Sequence, residues 1–167
     1  MAMTKSATAA MTAIQRWLAE EGVNIKDFFV AGASKRGWTT WTTAAVDDRV
    51  RAIAPIVIDL LNIEPSFEHH WRVYGFWSPA IQDYVDMSTT DWWRSAESQA
   101  LFDLVAPLSY RDRYTMPKLI LNAAGDEFFV PTSSKFYYDK LPVEKPQQYL
   151  PHVGHGIDDP NDLLTTL

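Results

Sequence analysis

The chain has 167 residues, 47% of them hydrophobic and 22% charged, with a formal net charge of −6. That is one domain's worth of chain, and a chain of about 150 residues buries roughly 68–70% of its unfolded surface. No Lys/Arg-rich run marks a nucleic-acid surface, and no run of 18 apolar residues marks a membrane-spanning helix. The absence of cysteine excludes disulfides, thiolate catalysis and thiolate-held zinc. Residues 1–13 are small and polar with one Lys and lack the apolar stretch of an export signal, which leaves the compartment unassigned.

In chain order, Ala10, Ile14, Trp17 and Leu18 fall at helical spacing and predict a helix over residues 6–21, closed by Gly22. Residues 27–31 (DFFVA) form a short apolar run rich in aromatic and β-branched residues and predict a buried strand. A tight turn over 32–37 leads into a helix over 38–46. Residues 50–60 predict a second strand, with Pro55 near its start or at a kink. Residues 62–95 show no clean period. They are rich in Trp, His, Tyr and Pro and read as an inserted lid. A helix over 96–105, a strand over 118–123, a helix over 133–141 and a strand over 147–150 follow. The last segment, 159–167, begins a further helix.

Strands alternating with helices, the strands continuously apolar, predict one α/β domain over 1–167 with a mostly parallel sheet covered by helices on both faces. Chemistry in such sheets gathers at the carboxyl ends of the strands. Ser34 lies there, in GASKRG between a predicted strand and a predicted helix, the setting of a nucleophile elbow. A sharp turn would lift its hydroxyl into the open. Gly32 and Ala33 would let the backbone fold tightly, and the Lys35 amide at the helix start would face a developing oxyanion. The pattern departs from G-x-S-x-G, because glycine comes three residues after the serine and Arg36 occupies the usual place. A plain turn with a capping serine would look similar.

A serine hydroxyl needs a base, and the base needs a carboxylate that fixes its tautomer. Asp126, after the third strand in LNAAGDEFF, and His155, in VGHG after the fourth, supply both in the chain order Ser, Asp, His. Asp59, after the second strand, is a rival acid, and Asp126 is preferred. His152 reads as an exposed loop histidine. His69-His70 could suggest a metal, but adjacent histidines seldom converge on one ion and no ligand spacing supports it, so no metal and no cofactor is assigned. Trp71, Trp77, Trp92 and Trp93 have two readings: rings packing the lid to the core, or an aromatic wall that contacts substrate.

Together, VAGASKRGWTTWTTAAVDDRV, NAAGDEFFVP and LPHVGHG resemble the PhoPQ-activated pathogenicity-related proteins of the α/β-hydrolase superfamily, over residues 7–159. The resemblance implies Ser34, Asp126 and His155 as a catalytic triad. It implies no substrate, and members are often exported. A full hydrolase sheet has about four strands before the elbow strand, whereas one helix precedes it here. The expectation is therefore a sheet without its N-terminal strands, which normally supply the second oxyanion donor, and an exposed elbow-strand edge across which two copies pair or which the N-terminal segment covers. Losing an oxyanion donor costs about 10²–10³ in rate. The expected activity is serine esterase chemistry on a small-molecule ester, without nucleic-acid or membrane partners. The alternative is a weak or inactive hydrolase-fold protein that binds or signals.

Overall fold

The sheet of the computed structural model, which describes residues 1–157, 159 and 161, is built from four parallel strands in sequence order. They are β1 (Phe28–Ala33), β2 (Val50–Ile56), β3 (Ile120–Ala123) and β4 (Gln147–Leu150). Helix α1 (Ala2–Glu20) precedes β1, and α2 (Lys35–Val46) joins β1 to β2. Between β2 and β3 lie α3 (Ile63–Tyr74), α4 (Gln82–Asp86), α5 (Thr89–Trp92) and α6 (Ala96–Val105), with 3₁₀ turns at Pro79–Ile81 and Pro107–Arg113. The helix expected over 159–167 lies almost wholly outside the described residues.

Helix α1 ends as Gly22 implied. Gly22 adopts φ +79°, its N–H reaches the Ala19 carbonyl, and the Val23 N–H reaches that of Leu18. This pair of bonds closes the last turn around a left-handed residue that only glycine adopts at low cost. The buried Thr4–Thr42 hydroxyl pair (2.7 Å) and the Arg49 guanidinium, which reaches Gln15 (2.6 Å) while paired to Asp47, dock α1 on α2 and the turn after it.

Period-two burial in β1 shows how the sheet is dressed. Phe28, Val30 and Gly32 face α2, whose Trp41, Ala44 and Ala45 belong to the main core with Ile53 and Ile120. Trp41 is fully buried and meets Tyr114 edge-on, ring centroids 4.8 Å apart. Phe29, Ala31 and Ala33 point to the other face and are exposed, Phe29 at 65%. Cover on both faces is thus incomplete over β1 among the described residues. β1 is also the edge of the sheet, and the Phe28 and Ser34 amides bond toward β2, so the alternate amides of Phe29, Ala31 and Ala33 face outward.

Three expectations change. Pro55 sits near the end of β2, not its start. It falls between Ile53 and Val57, whose N–H groups bond toward the third strand. A proline there removes one ladder bond, and β2 meets β3 only at the Ile53–Lys118 bridge and the Ile56–Leu121 pair. Residues 133–141 form two short 3₁₀ turns, Ser133–Phe136 and Tyr138–Lys140, instead of one α-helix. The segment 62–95 is mostly helical. Pro65 is tolerated in the first turn of α3, where its missing N–H would have had no helical partner, and Gly75 (φ +74°) ends that helix.

Candidate active site

All four strands run the same way, so the segments leaving their carboxyl ends converge on one rim of the sheet. Ser34 follows β1 directly at φ 55°, ψ −121°, a conformation that costs a non-glycine residue on the order of 1–3 kcal/mol and persists only when its surroundings enforce it. The enforcement is visible. The Ser34 N–H bonds to the Ile56 carbonyl at 2.9 Å, and the Ser34 carbonyl accepts the first helical bond of α2, from Trp38 at 3.0 Å.

The glycine spacing follows from the same turn. A Cβ on Gly32 would lie 2.8 Å from the Arg36 backbone, and one on Gly37 would lie 2.8 Å from Ile58 Cγ2 and 2.9 Å from the Gly32 carbonyl oxygen. Position 37 faces the end of β2 and needs glycine, whereas Arg36 is exposed and tolerates a long side chain. The departure from G-x-S-x-G is thus a shift of the close approach by one residue along α2.

Ser34 Oγ lies 2.8 Å from His155 Nε2, and His155 Nδ1 lies 2.9 Å from Asp126 Oδ2. The second carboxylate oxygen of Asp126 accepts the Phe128 and Phe129 amides at 2.8 and 3.0 Å. Asp126 is buried, while Ser34 and His155 are half-buried. The loop carrying His155 closes on β3 through the Gly125 N–H, which donates to the Val153 carbonyl (2.9 Å). A Cβ on Gly125 would come within 3.0 Å of that oxygen. The Lys35 amide, first in α2, has no hydrogen-bond partner among the described residues and stands beside Ser34 at the positive end of the helix. His152 is exposed. The arrangement can withdraw the Ser34 proton, hold the resulting imidazolium against a carboxylate, and offer one backbone donor to an oxyanion.

Asp59 is also buried at its strand's end but stands apart from the histidine. The Tyr149 hydroxyl donates to Asp59 Oδ2 at 2.6 Å and lies 3.1 Å from Ser134 Oγ. Asp59 Oδ1, the Asn122 amide and the Tyr137 hydroxyl are buried without hydrogen bonds of good geometry among the described residues. Burial pushes the Asp59 carboxyl up from 3.8 to about 6, and the nearby Asp126 charge adds to the rise. His69 and His70 diverge. His69 Nε2 pairs with Thr132 Oγ1 at 2.7 Å on the surface, while buried His70 accepts the Ser78 N–H at Nε2 (3.1 Å). Burial holds His70 below its ordinary pKa, with a smaller lowering from the His69 charge, so it stays a neutral acceptor.

A small apolar cavity of about 50 Å³ opens at Ser34, lined chiefly by Ile58, Leu60, Phe67, Ile81, Phe128 and Phe129. None of the four tryptophans lines it. Trp71 and Trp92 are exposed, and Trp77 and Trp93 meet edge-on (5.1 Å) and pack against Phe67 (6.4 and 5.4 Å). The aromatic lining comes instead from Trp38, Phe67, Tyr84, Phe128 and Phe129, with the Phe128 ring 4.3 Å from that of His155. The signal was present: two aromatics directly after GDE must lie beside whatever Asp126 holds.

A parallel sheet with a strained elbow serine and the order Ser, Asp, His defines the α/β-hydrolase fold, and solved structures agree. An acylaminoacyl peptidase of Pyrococcus horikoshii matches 92% of this chain and 24% of its own, with a TM-score of 0.61 at 16% identity. A puromycin hydrolase matches 91% of this chain and 22% of its own (TM-score 0.59, 21% identity). An acetyl xylan esterase from Paenibacillus sp. R4 matches 86% and 45% (TM-score 0.58, 19% identity). The chain belongs to the PhoPQ-activated pathogenicity-related protein family, whose model matches residues 1–167. Autocrine proliferation repressor protein A of Dictyostelium discoideum is 41% identical over 157 residues, 93% of this chain. The chain spans about a third of that relative's length (32%).

Proposed function

We propose that this chain carries the catalytic residues of a serine hydrolase that cleaves carboxylic esters. The observation that supports the reading is the unbroken chain Ser34 Oγ–His155 Nε2 and His155 Nδ1–Asp126 Oδ2, with the serine held on a strained elbow at φ 55°. Ser34 Oγ attacks the ester carbonyl as His155 Nε2 takes its proton, and the Lys35 N–H binds the developing oxyanion. Collapse of the tetrahedral intermediate expels the alkoxide, which recovers the proton from Nε2–H. Water then repeats the sequence on the acyl-enzyme and releases the acid. Asp126 stays ionised, holding the imidazole with its acceptor nitrogen toward Ser34.

A fluorophosphonate probe tests the reading, because it bonds only to a serine oxygen whose proton has a base. Labelling is expected at Ser34, with losses of at least about 10³ in rate in Ser34→Ala and His155→Ala. A folded protein that resists the probe would favour the second reading, a hydrolase-fold signalling protein. The proliferation-repressor relative favours that alternative.

A further inference from the structure

We infer that the cavity at Ser34 is a size-limited acyl pocket, which restricts the substrate to esters of short, unbranched apolar acids, acetyl to butyryl. The inference rests on the hydrolase reading and goes beyond it by assigning one side of the substrate. Three features carry it: the cavity's chemistry, its size and the way its roof is fixed.

The chemistry is one-sided. Beyond Ser34, Lys35 and the Tyr84 phenol the lining is aliphatic or aromatic, and the Trp38 indole N–H is already spent on the Val105 carbonyl, so an acid bearing a charge or hydroxyl would lose hydration there with few partners in return. The space, about 50 Å³, is well below the roughly 300–1,000 Å³ of pockets that take drug-sized ligands, which leaves room for only a few carbon groups past the carbonyl.

The roof is fixed. Ile81, buried at 1%, hangs from the turn Pro79–Ile81. That turn is capped by Ser78 Oγ, which accepts the Ala80 N–H (3.3 Å), and the Ser78 N–H is tied to His70 on α3. Phe67, also on α3, is backed by Trp77 and Trp93. The tryptophans excluded from the cavity thus buttress the ring that bounds it. A packed, bonded roof cannot stretch for a longer chain without lost contacts or strain.

The enclosed pocket suits the acyl group because that group stays on Ser34 after the first step. The leaving alcohol must depart before water enters, which calls for an open path.

The test compares kcat/KM for p-nitrophenyl acetate, butyrate, octanoate and decanoate, and for acetate esters of short and long alcohols, with a separate aliquot of the same preparation labelled by fluorophosphonate. Expected are at least about tenfold preference for acetate and butyrate over octanoate, since one methylene is worth about 10–200-fold in such pockets, and little dependence on alcohol length. Ile81→Ala should raise the octanoate-to-acetate ratio about tenfold, and Phe67→Leu should raise it less. The ratio is independent of the active fraction, so partial unfolding of a variant does not mimic the result. A preparation whose aliquot labels but which prefers octanoate, or selects on the alcohol and not the acid, overturns the acyl pocket and leaves the hydrolase standing. Absence of labelling overturns both.

Discussion

Two aspartates close two neighbouring strands of this sheet, Asp59 after β2 and Asp126 after β3, and both are buried, 2% and 3% exposed. Asp126 fills its acceptor sites with two backbone amides and His155. Asp59 receives one well-formed hydrogen bond, from the Tyr149 hydroxyl, and the Tyr137 hydroxyl near it makes none of good geometry. Position at a strand's end therefore made both candidates, and the partners separate them. A carboxylate held by oriented N–H groups is fixed in place and directs a base. One sunk among phenols resists charging, and Asp59 is raised to about 6.

The largest consequence of this contrast lies in the tautomer of His155. Asp126→Asn keeps an oxygen for the Phe128 and Phe129 amides but turns an NH₂ toward Nδ1. The ring proton then moves to Nε2, which can no longer accept from Ser34. Ester hydrolysis should fall by about 10³–10⁴ with little change in Tm. The counterpart substitution Asp59→Asn should change the rate only a few-fold. Equal losses from the two, in stopped assays on matched folded protein, would erase the distinction drawn between the strand ends.

How far the sequence revealed this site depends on how local each determinant was. The Ser34 elbow was legible because a strand, a tight turn and a helix are local, and the glycines at 32 and 37 report close approaches of their own backbone. Helix 96–105 and strand 147–150 were legible in full, since period and a capping Ser95 suffice. The turns over 133–141 were misread, because the helical spacing of Tyr137 and Leu141 reflects burial against a core assembled from distant strands. The cavity could not be read at all. It forms only when Phe67 and Ile81 from the lid meet Phe128 and Phe129 from beyond β3.

Tyr149→Phe probes the weaker of the two acid environments. It removes the one hydrogen bond of good geometry to Asp59 while keeping the ring. At pH 7.5 a buried acceptor left unpaired should cost about 1–3 kcal/mol, a Tm loss of several degrees for a chain of this size. Thermal melts at pH 7.5 and 5.0 should show the loss shrinking in acid, where the carboxyl is protonated and needs its acceptor satisfied less. A loss equal at both values would mean that the ring's fit and not the Asp59 charge sets the cost.

Asp59→Asn should move stability the other way, and its sign follows from linkage. The folded carboxyl has a pKa of about 6 against 3.8 for an unperturbed group, so between these values the folded state binds more protons than the unfolded state. Stability from this residue is therefore fully present below about pH 3.8, declines as pH rises to about 6, and is flat above. At neutral pH the group costs up to about 3 kcal/mol, at 1.36 kcal/mol per unit. Asn removes the charge, still accepts from Tyr149 through its oxygen, and brings donors to a pocket where the Asn122 and Tyr137 oxygens lack partners. Part of the gain is spent on imperfect geometry for the new NH₂, so a net rise of about 1–2 kcal/mol at pH 7.5 is expected, about 2–8 °C in Tm. The difference between variant and parent should narrow steadily from pH 7 to pH 5, whatever other groups titrate in both proteins. A Tm that falls at pH 7.5, or a gain that does not change with pH, would show that Asp59 is already charged at no cost, through a partner for its free oxygen.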